Sequence, residues 1–329
     1  MSTRRPQSPM VRLFGTLLPR MLFLTAPLAL AACSGTSTPL APENLPSSPN
    51  DYAGGIGQRP VVGRIAFTSY RNDVTSKGDI YLMNPDGSNL TRLTSGADDE
   101  SMPAWSWNNQ QIAYVRNRPV NFQSLPDVYI VNFNGTGGHW LSPVADGLVK
   151  TEPAWSPDGT RIVVTRGGAY LGWVDVVTGQ YHDFQTRAGS LVGSHGSYSK
   201  DGSRVVFSQT NNISVMSANG SGITKLIGAP GLAFFAPAYS PDGTKIAFVS
   251  DMSGPTLLYV MNADGTGVTP LTSTSGDKTP SWSPDGKKIA FAHMQGGSLV
   301  QVWSINADGS NLAPLTQTNT WELTPAYSH

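Results

Sequence analysis

Residues 282–292 read "WSPDGKKIAFA", and the phrase returns as "WSPDGTRIVVT" at 155–165, "YSKDGSRVVFS" at 198–208 and "YSPDGTKIAFV" at 239–249. Its core is an anchor, Pro-x-[Trp/Tyr]-Ser, found at Trp105, Trp155, Tyr239, Trp282 and Tyr327, with a further copy at Tyr198 in which His195 takes the place of the Pro. Successive anchors lie 50, 43, 41, 43 and 45 residues apart. A period of roughly 40 to 50 residues is the length of one four-stranded propeller blade.

Each repeat divides in the same way. The anchor strand runs into a tight turn, as at Asp158-Gly159, Asp201-Gly202, Asp242-Gly243 and Asp285-Gly286, and then into a β-branched strand such as "KIAFVS". A third strand ("DIYLMN", "LLYVMN", "VQVWSIN") and a second tight turn, for example Asn262-Ala263-Asp264-Gly265, lead to a short fourth strand. Asp-Gly pairs admit positive φ and reverse the chain in two residues, and apolar positions alternating with period two fit a sandwiched sheet. In the copy at Trp105 the turn is Asn108-Asn109, and Asn tolerates the same backbone region, so the hairpin is expected to persist.

The segment "WELTPAYSH" at 321–329 supplies only an anchor strand, and "GRIAFTSYRN" from Gly63 begins with the strand that follows an anchor elsewhere. The two are expected to complete one blade. The fold class is therefore all-β: a six-bladed β-propeller of four-stranded antiparallel blades over residues 61–329, its ring closed by pairing the C-terminal strand with the N-terminal blade.

Ahead of the repeats, Arg4, Arg5, Arg12 and Arg20 precede the twelve-residue apolar run "MLFLTAPLALAA", which ends at Cys33, the chain's single cysteine. A run of that length is too short to span a bilayer as a helix and fits a secretory signal. Leu30-Ala31-Ala32-Cys33, followed by Ser34 and Gly35, resembles the lipobox of bacterial lipoproteins. The resemblance implies a signal peptide over 1–32, lipidation of Cys33, and a location in the bacterial cell envelope. There the protein would face the periplasm or the exterior, with the outer membrane implied by Ser34 in a Gram-negative host. Residues 33–60 are small and polar with several Pro, and are expected to form a flexible tether.

Without residues 1–32 the chain carries 18 basic and 22 acidic side chains and has no polybasic run, which argues against nucleic acid as a partner. Membrane association would then rest on the lipid. One cysteine excludes an internal disulfide and a cysteine metal cluster. The five His are scattered without metal-ligand spacing, and there is no Gly-x-Ser-x-Gly elbow, Walker loop or dinucleotide fingerprint. No cofactor, metal site or catalytic residue is expected, and a monomer is.

Alternating strand direction puts all the tight turns on one face and the longer links on the other, including 69–79, 95–102, 116–127, 187–194 and 228–236. Loops held over a rigid scaffold are the usual place for binding. The candidate contact residues precede the anchors at the channel mouth on that face: Asp98, Asp99, Glu100, Glu152, His195, Phe234, Phe235, Asp277, Lys278, Trp321 and Glu322.

In "PAWSPDGTRI", "PAYSPDGTKIAFVS", "PSWSPDGKKIAFA" and "LYVMNADGTGVTPLT" the chain resembles the repeats of the TolB-type β-propeller family over 61–329. That family includes a periplasmic binding module whose loop face and channel engage envelope lipoproteins and intruding peptides. Related propellers cap prolyl oligopeptidase-type enzymes, and a more distant group includes oligogalacturonate lyases. Together with the lipobox-like Cys33, the resemblance implies a lipid-anchored binding or scaffolding module for an envelope protein, peptide or cell-wall glycan. The alternative is a glycan-active lyase or hydrolase using loop-face carboxylates or a metal.

Overall fold

The computed structural model describes residues 63–71, 77–120, 122–143, 146–295 and 299–329. These contain six four-stranded antiparallel sheets. Cys33, the signal peptide and the tether lie outside the described residues.

From the innermost strand outward, blade I is Glu322–Tyr327, Ile65–Ser69, Asp79–Met83 and Thr91–Arg92. Blade II is Glu100–Trp105, Gln111–Val120, Gln123–Asn132 and His139–Trp140; blade III is Lys150–Trp155, Arg161–Arg166, Tyr170–Asp175 and Tyr181–Asp183. Blade IV is Ser194–Tyr198, Arg204–Gln209, Asn212–Ser217 and Thr224–Gly228; blade V is Phe234–Tyr239, Lys245–Ser250, Leu257–Asn262 and Thr269–Pro270. Blade VI is Lys278–Trp282, Lys288–Gln295, Leu299–Asn306 and Ala313–Pro314. Between blades III and IV the chain adds a small hairpin, Gln185–Thr186 with Gly189–Ser190.

The ring closes in blade I, where Ile65 pairs with Tyr327, Ala66 with Ala326 and Ser69 with Glu322. Ser328 N donates to Arg64 O at 2.7 Å and Tyr70 N to Trp321 O at 3.1 Å, which extends the ladder at both ends.

A blade buries both faces of its second and third strands against its neighbours, so those strands read as apolar runs rather than as clean alternation. Ile65 to Ser69 are buried throughout, as are Asp79 to Met83. The anchor aromatic of one blade packs onto the preceding blade. Trp105 joins Ala66, Ile80 and Leu82; Trp155 joins Ala113, Val128 and Ile130; Trp282 joins Ala247, Leu258 and Val260. Tyr327 of blade I packs with Ala290 and Val302 of blade VI, so the same contact crosses the closure.

The Ser-x-Asp-Gly part of the repeat is a turn lock. Ser156 Oγ donates to Asp158 Oδ1 at 2.6 Å, and Asp158 Oδ1 accepts Thr160 N at 3.0 Å. Blades IV, V and VI repeat the serine bond at Asp201, Asp242 and Asp285. These bonds hold all four carboxyls below their usual range, led in each case by the serine hydroxyl. In blade II Asn108 accepts the Ser106 hydroxyl at 2.8 Å and Asn109 takes the glycine's place at φ 59°, so the hairpin persists as expected.

Two expectations from the sequence need correction. The stretch 116–127 is not an irregular loop. Strands two and three of blade II run on as a ladder from Arg116↔Asp127 to Val120↔Gln123, a hairpin that carries the exposed ring of Phe122. Proline and charge hid it, but Arg118 fastens it to Asp127 and to the carbonyls of Ser142 and Pro143. The register also puts Gly196, not His195, where the other anchors carry Pro; His195 occupies the position before it.

Deleting residues 318–329 removes the innermost strand of blade I and the contact that closes the ring. The truncated chain is expected to lose more than about 4 kcal/mol, a large part of a typical domain's stability. Melting that matches the full chain would overturn the closure.

Candidate functional site

Each innermost strand breaks register at the same place. The shift falls between Ser101 and Ala104, Thr151 and Ala154, Ser194 and Ser197, Phe235 and Ala238, and Lys278 and Ser281. In blade I it falls opposite Ala66 and Thr68. Each break is a β-bulge that holds one residue in the left-handed region: Met102 (φ 55°), Glu152 (56°), His195 (52°), Ala236 (51°), Thr279 (44°) and Thr324 (50°). None of these is glycine, and two are β-branched. Such positions cost about 1–3 kcal/mol each and persist only where the surroundings over-determine them.

The six bulges surround one cavity of about 220 Å³ on the ring axis, lined also by the residues that follow them, Pro103, Pro153, Gly196, Pro237, Pro280 and Pro325. Deeper, the wall narrows to Ala104, Ala154, Ser197, Ala238, Ser281 and Ala326. The same Ala/Ser ring borders a second space of about 150 Å³ towards the tight-turn face, where Trp107 and His329 lie. There the His329 ring stacks on Trp107 at 4.0 Å, and burial lowers its imidazole to about 4.

The bulges interlock from blade to blade. Thr324 Oγ1 bonds Thr68 Oγ1 at 2.8 Å, and Thr68 Oγ1 accepts Met102 N at 3.1 Å. Blades III and IV repeat the pattern with a charge in it. Glu152 Oε2 accepts Thr165 Oγ1 at 2.6 Å and His195 N at 2.9 Å, while its Oε1 lies 3.0 Å from His195 Nε2. Burial pushes the Glu152 carboxyl up, but the His195 ring, Thr165 and the His195 backbone together hold it below its usual range. The mouth is thus neutral at four bulges, with a carboxylate–imidazole pair at the other two.

Of the residues expected at the contact surface, only Glu152 and His195 are brought together on the axis. Glu100 is buried, 3.6 Å from Arg116, and Asp98 bonds the same guanidinium at 2.8 Å. Asp99 accepts Gly78 N at 2.8 Å. Asp277 is fully buried, with His293 Nδ1 at 2.6 Å and Leu258 N at 2.8 Å, and Glu322 is fully buried against Arg71 at 3.0 Å. Phe234 is core, stacked on Phe248, and Phe235 is half-buried. Lys278 and Trp321 are exposed, Trp321 at 53% with its edge to Tyr70.

The buried acids at the loop ends are therefore struts: each ties an innermost strand to the next links, because a lone charge there would lose its hydration. Among the described residues no group of three His, Cys, Asp or Glu side chains comes together to hold a metal.

Sequence reasoning missed Met102, Ala236, Thr279 and Thr324. Their signal was present: they stand immediately before the Pro of an anchor, a position at which Glu152 was noticed only for its charge.

A family model described as TolB beta propeller domain matches residues 198–329. A Bacillus subtilis protein named uncharacterized peptidase YuxL is 27% identical over 214 residues, covering 62% of this chain and 30% of that protein. The Tol-Pal system protein TolB of Anaeromyxobacter dehalogenans is 37% identical over 107 residues, 29% of this chain and 23% of that protein. The chain thus spans less than a third of the length of these relatives. The crystal structure of TolB from Acinetobacter baumannii superposes with a TM-score of 0.69 at 24% identity, covering 81% of this chain and 66% of that one.

Two stability measurements check how these acids are buried. Asp277→Ala strands the His293 ring and the Leu258 amide, and is expected to cost about 3 kcal/mol, against under about 0.5 kcal/mol for Lys278→Ala next to it. Burial pushes the Glu100 carboxyl up to about 7, against the pull of Thr94 and Arg116 and with help from Asp79 and Asp98. The folded state then holds that proton more tightly than the unfolded chain, where Glu titrates near about 4.3. Its contribution to stability is constant below that value and is lost as pH rises towards about 7. Glu100→Gln should flatten the change in urea midpoint over this window, and an unchanged slope would reject the buried, proton-retaining setting of this carboxyl.

The anchor phrase, the turn locks, the six-bladed closure and the likeness to TolB sequences and structures agree: this chain carries a TolB-like β-propeller.

Proposed function

We propose that this protein is a lipid-anchored binding or scaffolding module of the bacterial cell envelope, and that it takes a protein, a peptide or a cell-wall glycan at the loop-face mouth of its channel. The observation that carries this reading is the set of six strained bulges converging on one axial opening. Strained backbone clusters at binding and catalytic sites, and bulges re-aim side chains there, so six of them around one opening fit a shared site.

Geometry supports the choice of face. The first described residue, Gly63, sits beside Pro85 and Pro284 on the tight-turn side, so the chain enters the ring opposite the mouth. The likeness to Tol-Pal system TolB proteins supports an envelope setting and a protein partner. A second reading, a glycan-active lyase or hydrolase, draws on the Glu152–His195 pair alone.

In-cell photo-crosslinking from position 321, with position 285 on the tight-turn face as control, tests the proposal. One discrete envelope protein or glycan captured at 321 and not at 285 is the expected result. Equal capture at both, or none at 321, would remove the loop-face assignment.

A further inference from the structure

The Glu152–His195 pair extends one residue further. Ser194 Oγ lies 3.0 Å from His195 Nδ1, while the other ring nitrogen, Nε2, lies 3.0 Å from Glu152 Oε1. A carboxylate only accepts, so the proton of a neutral imidazole belongs on Nε2, and the bare Nδ1 is left facing the serine hydroxyl. Glu152 also accepts the His195 backbone N–H, so one carboxylate fixes both the ring and the main chain that carries it. Thr165 Oγ1 steadies the carboxylate in turn.

This departs from the repeat in a way that ring closure does not require. At the equivalent step between blades I and II, Thr68 Oγ1, bonded to Thr324 Oγ1 within blade I, accepts Met102 N of blade II, so the blade-to-blade bond is made without charge. Among the described residues no other of these bulges holds an imidazole. Departures from a local rule without a structural need concentrate at functional sites.

We propose that Ser194, His195 and Glu152 form a nucleophilic triad that hydrolyses carboxylic esters bearing a small acyl group. Ser194 Oγ attacks the acyl carbon as its proton passes to His195 Nδ1, and Glu152 stabilises the resulting imidazolium. The ester C–O bond breaks, the alcohol leaves with the proton from Nδ1, and the acyl group remains on Ser194. Water then attacks the acyl carbon, returning a proton through Nδ1 to Ser194 Oγ and releasing the carboxylic acid. Ser194 and His195 are the catalytic residues; Glu152 is a positioning residue. Esters are the class because an alkoxide leaves more readily than an amine. The acyl group is small because the space beside the triad, onto which Glu152 and His195 open and Ser194 does not, is an axial cavity of about 220 Å³ walled by Ala and Ser. The depressed Glu152 carboxyl keeps the positioning charge in place.

The test uses the full chain with a fluorophosphonate probe, p-nitrophenyl acetate and p-nitrophenyl octanoate, with melting to confirm that each variant is folded. The expected results are a single phosphonyl adduct on Ser194, acetate hydrolysed in preference to octanoate, and a loss of about 10²-fold or more in Ser194→Ala. Glu152→Gln should slow hydrolysis and displace the ionisation in its pH profile, and Glu152→Asp should restore part of the rate. No adduct on Ser194, or undiminished acetate hydrolysis by folded Ser194→Ala, overturns the triad; preference for octanoate overturns the small-acyl class. Crosslinking from position 321 is read separately, so failure here leaves the binding proposal standing.

Discussion

Each blade is a thin sheet that cannot bury its own two faces, and everything else in this molecule follows from that. Trp105, Trp155, Tyr198, Tyr239, Trp282 and Tyr327 are the aromatic anchors by which each blade covers its predecessor. Burying such a side chain is worth roughly 1.5–3 kcal/mol, and six in a circle stabilise only if the circle is complete. The pairing of 322–327 with 65–69 is what completes it.

Closure also brings six strand ends onto one axis, where polar backbone and loop charges crowd a small volume. Two solutions are visible. At the rim, charges go under the surface as struts: Glu100 beside Arg116, Lys150 with Asp127 and Asp146, Asp277 with His293, Glu322 with Arg71. On the axis, the bulges turn one residue per blade inward, and bonds such as Met102 N to Thr68 Oγ1 and His195 N to Glu152 Oε2 hold the strained backbone in place. The first device consumes charge, while the second leaves one residue per blade open to the channel: Glu152 and His195 with their polar pair, and Met102, Ala236, Thr279 and Thr324 without charge.

Much of the fold was legible because it is written in local rules. Ser-x-Asp-Gly specifies a turn through the serine hydroxyl and the Asp carboxylate, and Asn108-Asn109 replaces it by the same geometry. The candidate site was less legible. A charge next to an anchor looks alike whether it is solvated or paired: Lys278 is exposed, while Asp277 beside it is sealed against His293, a residue 16 positions away. The ladder beyond Arg116 was obscured for a similar reason, since Arg118 fastens it to the 142–143 carbonyls, a contact the local sequence does not show.

The sequence by itself determined the number of blades, their internal turns and the way the ring shuts, since each depends on short-range chemistry repeated at a constant spacing. Tertiary structure alone decided which side chains face the axis. A bulge inserts one residue and shifts the alternation of everything before it, and although the anchor Pro marks its place, only the folded strand shows which side chains it turns to the axis. It is that shift which takes Phe234 into the core and sets Glu152 against His195, 43 residues further along the chain.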